Sequence, residues 1–163
     1  MRDFHAEEKR ESLARWQERK ANGGIKPGDM FHWTPYPKDW IDSKFQVRIR
    51  CTICDRVGSN NKMSAVEVVD GGALRCWDAD VIASLGEQTR SYYERNTLED
   101  GRWDENDGAY MGWWYVGSEC AKHIDPTLFP PKEIQDKIRK RAIEFYTEKA
   151  KQREAEHEER MSR

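Results

Sequence analysis

The sequence predicts an α+β fold, a small antiparallel sheet flanked by an N-terminal and a C-terminal helix around a metal site, and three observations carry the prediction. Charged stretches of good helix formers occupy both ends of the chain. Apolar and polar residues alternate with a period of two between Lys44 and Cys51, and an Asp70-Gly71-Gly72 turn joins two further extended runs. Two cysteine-containing pairs, Cys51 with Cys54 and Cys120 with His123, have the spacing of metal ligands.

The 163 residues fit one domain, but a hydrophobic fraction of 37% against a charged fraction of 36% leaves a small core for so much surface. Seven tryptophans offset part of that deficit, and a bound metal would supply more. A net charge of −2 gives no overall positive field to draw the protein to nucleic acid or an anionic membrane. No apolar run is long enough to cross a bilayer and the first twenty residues lack a signal-peptide core, so a soluble cytoplasmic protein is expected. In that reducing compartment the four cysteines read as metal ligands or buried thiols rather than disulfides.

Residues 2–20 read as a helix that stops at Asn22, Gly23 and Gly24, with a thin apolar stripe of Leu13 and Trp16. Pro27, Pro35 and Pro37 then alternate with Phe31, Trp33, Tyr36 and Trp40, which favours an extended segment laid over the core. Phe45, Val47, Ile49 and Cys51 against Lys44, Gln46, Arg48 and Arg50 predict a half-buried strand, and residues 64–69 and 73–77 a hairpin. Asp78 or Asp80 can cap a helix carrying Val81, Ile82, Leu85, Tyr92 and Tyr93, weakened at Gly86. An acidic, turn-rich stretch over 98–108 leads to an aromatic strand over 109–116, and Ser118 is the expected N-cap of a short helix ended by Asp125 and Pro126. Pro131 opens a long helix with Ile134, Ile138, Ala142, Phe145 and Lys149 on one face and a solvated or frayed distal half. The chain thus divides into an N-terminal helix (1–24), a proline- and aromatic-rich segment (25–43), a zinc-binding α+β domain (44–126) and a charged C-terminal helix (127–163).

A tetrahedral zinc ion needs four soft or borderline donors converging on one point. A tight knuckle after a strand aims Cys51 and Cys54 together, and i,i+3 positions on a helix put Cys120 and His123 on one face. One structural zinc ion is therefore expected on Cys51, Cys54, Cys120 and His123. Cys76 is in phase with Leu74 and reads as a buried small hydrophobe, with a role as fourth ligand in place of His123 left open. The alternative is that the thiols are simply reduced core residues; a redox C-x-x-C is disfavoured because Asp55, Arg56, Val57 and Gly58 read as a turn rather than a helix start. His32 reads as packed or exposed and His157 as a tail residue.

Knuckle, hairpin, then Trp113, Trp114, Tyr115, Val116, Gly117, Ser118, Glu119 and Cys120 running into a helix resemble the treble-clef zinc-finger superfamily. The Val-Gly-Ser-Glu-Cys-Ala-Lys run also resembles that of uncharacterised zinc proteins of bacteriophages. The resemblance spans residues 45–124, roughly half the chain, and implies a structural metal rather than an activity. Residues 78–108 form an insert relative to that pattern, and Thr52 and Ile53 stand where the family has proline or glycine.

No zinc-protease, phosphate-loop or serine-hydrolase motif occurs, and the hairpin carries no histidine of the kind treble-clef nucleases use as a base. Asp104, Asn106 and Gly108 resemble the start of a calcium loop that then fails, with Tyr115 where the glutamate belongs. Basic residues cluster at the knuckle (Arg48, Arg50, Arg56, Lys62) and on the last helix (Lys137, Arg139, Lys140, Arg141), each among acidic neighbours, and are candidates for binding a partner or nucleic acid. The sequence reading is a nonenzymatic zinc protein, a phage or mobile-element accessory factor acting in the host cytoplasm. It binds a macromolecular partner, protein preferred over DNA or RNA, with no membrane association. A nucleic-acid-binding zinc module is the rival, and an enzyme such as a nuclease the third class.

Overall fold

In the computed structural model, residues 4–31 and 40–163 are described. Helix α1 (Phe4–Ala21) ends where the sequence breaks it. Gly23 and Gly24 take φ of +95° and +81°, and the Gly24 N–H donates to the Arg19 carbonyl at 2.9 Å, a glycine-based C-cap. Trp16 anchors this helix; it is only 2% exposed and meets Phe31 edge-on at 5.9 Å between ring centroids. Past Gly24 the chain lies parallel to residues 123–125: the Ile25 N–H donates to the His123 carbonyl at 2.8 Å and the Asp125 N–H to the Ile25 carbonyl at 2.9 Å. A Cβ on Gly24 would sit 2.0 Å from the His123 oxygen, so this close approach requires glycine. His32, Trp33, Pro35, Tyr36 and Pro37 lie outside the described residues. Trp40, at the end of the extended segment, packs on Tyr115 at 5.2 Å and on Tyr146 at 4.6 Å.

The strand expected over 44–51 is not formed as a ladder. The Asp42 carboxylate accepts from the Lys44 and Gln46 N–H groups and from Arg48 Nε, closing a turn, and Phe45 is left-handed at φ +59°. Single bridges, Ile41 with Val47 and Arg50 with Val57, are all that remain of pairing. The alternation was a true signal of one-sided burial, since Ile49 and Cys51 are inside while Lys44, Gln46 and Arg48 are exposed. One-sided burial does not itself supply a neighbouring strand.

The sheet has three antiparallel strands in the order β2-β1-β3: β1 (Ser64–Val69), β2 (Ala73–Leu74) and β3 (Gly112–Val116). Asp70, Gly71 and Gly72 make the predicted turn, all at positive φ, and set Val69 opposite Ala73. On the other side Ala65 faces Tyr115 and Glu67 faces Trp113. The two outer strands are shorter than the spans 73–77 and 109–116, although the Arg75 N–H still donates to the Glu67 carbonyl at 2.8 Å.

Residues 78–108 close one end of the sheet. Asp78 caps α2 (Ala79–Ser84), accepting from the Asp80 and Val81 N–H groups, and Gly86 at φ +104° splits off α3 (Glu87–Asn96), so the single helix expected there is two. In the acidic stretch the Asp104 carboxylate accepts from its own turn, at the Asn106 N–H. Against this insert the sheet buries charge. Glu67, on β1, accepts from Arg75 Nη1 at 3.0 Å and from the Tyr110 hydroxyl at 2.8 Å. The Arg75 guanidinium also donates to the Gly101 carbonyl and lies over the rings of Trp77 and Trp103, at 4.0 and 5.5 Å.

After β3 a single turn, α4 (Ser118–Ala121), is capped by Gly117 rather than Ser118, which is its first residue and bonds no cap amide. Asp125 instead caps the 3₁₀ turn Pro126–Leu128, accepting from the Thr127 N–H. Helix α5 (Lys132–Met161) is helical to its end, and its distal half is solvated as expected, with every residue of 151–163 except Arg153 exposed. Ile138, Ala142 and Ile143 pack on the core and Ala150 is buried, whereas Phe145, expected on the inner face, is 63% exposed, with Tyr146 turned inward in its place. No helix among the described residues is long and apolar enough to cross a membrane.

Candidate metal centre

The C-x2-C pair sits at the tip of a tight reversal. The Cys51 N–H donates to the Arg56 carbonyl at 2.9 Å, and the Asp55 N–H donates back to the Cys51 carbonyl at 2.8 Å. The chain turns there because Asp55 is left-handed at φ +63°, a conformation that aspartate tolerates better than most side chains. A glycine in the knuckle is therefore not needed. The Asp55 carboxylate pairs with Arg50 at 3.0 Å and with Lys9 of α1 at 3.2 Å. The Thr52 N–H donates to the Tyr115 carbonyl at 2.8 Å, which pins the knuckle to the outer edge of β3.

Cys120 arrives from the other direction, on α4 directly after β3. Val116 is fully buried, and Gly117 backs onto Cys51 with room for no more than ordinary contact. As a result the sulfurs of Cys51, Cys54 and Cys120 lie within 4.8 Å of one another, with Cys51 and Cys120 buried and Cys54 half-buried. Tetrahedral zinc–thiolate geometry, with bonds of about 2.3 Å, places neighbouring sulfurs about 3.8 Å apart, so the cluster is of the right size. Hydrogen bonds from the Cys120 and Cys54 thiols, with the Gly117 and Cys54 amides, pull the Cys51 thiol far below the ordinary range. The same interactions with Cys51 and Cys54, together with burial, push the Cys120 thiol up. Close-set thiols of this kind bind a soft cation by giving up their protons to it.

His123 lines the same cavity of about 620 Å³ as the three cysteines, yet its ring nitrogens are not among the donors within 4.8 Å of one another. Its ring stands edge-on to Trp16 at 6.2 Å, and its carbonyl receives Ile25. Cys76 is outside the cluster as well. It is 2% exposed, its thiol donates to the Asp78 carbonyl, and its N–H donates to the Tyr93 hydroxyl at 2.6 Å. His157 meets Phe45 at 5.6 Å between ring centroids.

The candidate basic residues separate by their partners. Arg48 pairs with Asp42 at 2.9 Å and Arg50 with Asp55, so neither charge is unopposed. Arg139 turns inward, where it donates to the Met63 carbonyl at 2.6 Å and pairs with Asp136, and so fastens α5 to the core. Arg56 and Lys62 line the cavity and form no ion pair among the described residues. Lys137, Lys140 and Arg141 are exposed on α5.

The sequence reading did not single out Lys9 and Asp55, which join α1 to the knuckle, or the Glu67–Arg75–Tyr110 network. The second had a legible trace, a glutamate inside the otherwise apolar run Ala65-Val66-Glu67-Val68-Val69, which marks a strand buried on both faces. Comparison with family models, curated proteins and solved structures gives no match for this chain.

Proposed function

We propose that the protein is a nonenzymatic structural-zinc protein, built on a treble-clef-like arrangement of knuckle, hairpin and short helix, that presents its surface to a macromolecular partner. The observation that carries this reading is the convergence of three thiols from two elements remote in sequence, Cys51 and Cys54 with Cys120. Buried thiols gathered at this spacing without a disulfide are the donor set of a zinc or comparable soft-metal site. His123 is the fourth donor in this reading, swinging its ring from Trp16 toward the sulfurs, a movement its place in the same cavity leaves room for. Four protein ligands leave no coordination position for water or substrate, which favours a structural over a catalytic role. Zinc binding then contributes on the order of 10 kcal/mol to folding, comparable to the whole net stability of a small domain.

Metal analysis of the purified protein tests this directly. About one equivalent of zinc in the parent, lost in Cys51→Ser and in His123→Ala, is expected from four-ligand binding. A metal-free parent refutes the zinc reading, and full retention in His123→Ala removes His123 from the ligand set.

A protein partner is preferred because Arg48 and Arg50 are paired with carboxylates while α5 offers an exposed Phe145 beside a long polar surface. A pull-down from the native host that recovers the same proteins with and without residues 137–141 counts against α5 as the contact. Nucleic-acid binding is the second reading, favoured by Arg56 and Lys62 at the cavity. Affinity for labelled DNA or RNA that falls steeply with salt supports it, and no binding at low salt removes it.

A further inference from the structure

We infer that α1 is a gate on the metal centre, hinged at Gly23 and Gly24, sealed by Trp16 and latched by the Lys9–Asp55 ion pair, so that its opening sets the rate at which metal enters and leaves; this rests on the zinc reading above. Leu13, Trp16, Gln17 and Lys20 of α1 form one wall of the cavity whose other wall carries the three cysteines. Cys51 and Cys120 are 1% and 7% exposed and Cys54 is half-buried, so a metal held among them is covered on the α1 side and faces solvent past Cys54.

The two walls differ in how they are built. The cysteine wall is tied into the sheet by backbone, through Thr52 to Tyr115 and Cys51 to Arg56. The α1 wall is attached through side chains: Arg19 pairs with Asp29, Trp16 meets Phe31, and two contacts land on residues beside the ligands. Lys9 reaches Asp55, which follows Cys54, and Trp16 packs on His123, three residues past Cys120. Behind it, Ile25 is fastened by backbone to His123 and Asp125, so motion of α1 is confined to the segment before it. Gly23 and Gly24 in that segment hold left-handed φ, and the neighbour a Cβ on Gly23 would meet is the flexible end of the Lys26 side chain, which can give way as the chain pivots.

Opening this gate exposes Trp16, which is nearly fully buried, so the open state is rare and metal exchange slow. Weakening the seal raises the open population and speeds release in proportion. Lys9→Glu does so without changing a ring beside a ligand, whereas Trp16→Ala also removes the ring that faces His123.

The test follows zinc release from the loaded full-length protein to an excess of a chromogenic chelator. Trp16→Ala is expected to release at least about tenfold faster than the parent, and Lys9→Glu, which puts like charges together at the latch, about threefold faster. Asp78→Ala, which loosens α2 away from the cavity, is the control for general destabilisation and is expected to release at the parent rate. If Trp16→Ala does not fold, Trp16→Phe and Lys9→Glu carry the test. Zinc held by the parent but released at the parent rate from the α1 variants, or released equally fast from Asp78→Ala, overturns the gate and leaves the zinc reading standing. A parent that takes up no zinc overturns both.

Discussion

Replacing Glu67 by leucine isolates the charge buried under the insert. In the folded protein the Glu67 and Arg75 side chains are 4% and 8% exposed, so solvent does little to screen their pairing. Glu67→Leu removes the carboxylate that Arg75 and Tyr110 both address and leaves the guanidinium with only the Gly101 carbonyl and two indole faces. Breaking a buried pair from one side costs about 3–5 kcal/mol, a large part of the roughly 5–15 kcal/mol a domain possesses. The double variant Glu67→Leu, Arg75→Met takes both charges away and replaces the cation–π contact on Trp77 by an apolar one, so it is expected to recover about 2–3 kcal/mol of that loss. Urea unfolding, followed by tryptophan fluorescence, measures all three. Tyr110→Phe, which removes one hydrogen bond to a charged acceptor, should fall between at about 1.5–3 kcal/mol. A Glu67→Leu variant within about 1 kcal/mol of the parent would show that the pair is hydrated or not formed, and the reasoning fails.

Gly24→Ala is expected to lower stability in thermal unfolding by about 2–3 kcal/mol, from left-handed backbone plus loss of the Ile25 to His123 hydrogen bond, whereas Gly23→Ala loses only the backbone share of about 1–2 kcal/mol. Burial raises Tyr93 and Tyr115 to about 12. Unfolded tyrosines deprotonate near 10.0, so the folded state holds more protons between about 10 and about 12; stability falls as pH climbs through that window, and ultraviolet titration should show both phenols ionising late. Asp78→Ala should cost about 1 kcal/mol in the same melts, through the two α2 amides it leaves uncapped. Phe145→Ser should change stability by no more than about 0.5 kcal/mol while weakening capture of a protein partner, and an unfolded variant would place Phe145 in the core after all.

Local signals were legible wherever one residue type decides a backbone conformation or a donor. Asn22-Gly23-Gly24 stopped α1, Asp70-Gly71-Gly72 turned the hairpin, and two cysteine-containing pairs marked a site of which the fold assembles three members. Period-two alternation around Val47 reported which side faces inward but not whether a strand lies alongside, and the Asp42 side chain took the role of a ladder partner. On α5 the 3.6-residue spacing admitted either Phe145 or Tyr146 as the inward residue; the rings of Trp40 and Tyr115, distant in sequence, favour Tyr146. The Glu67–Arg75–Tyr110 network was legible only in part. A glutamate within the apolar run 65–69 marks a buried charge, but its partners Arg75 and Tyr110 are set by the fold and nothing local to Glu67 names them.

The length of α5 also governs how the particle diffuses. Thirty residues at about 1.5 Å each make a rod of about 45 Å, while a compact domain of this chain length has a radius of gyration of about 15 Å and fits a sphere about 40 Å across. With Tyr146 against Trp40 and His157 against Phe45 the rod lies along the body, so it exceeds that width by only about 5 Å, and a single copy elutes slightly ahead of a ball of equal mass. Light scattering, which weighs particles without regard to outline, is the measurement that counts its subunits.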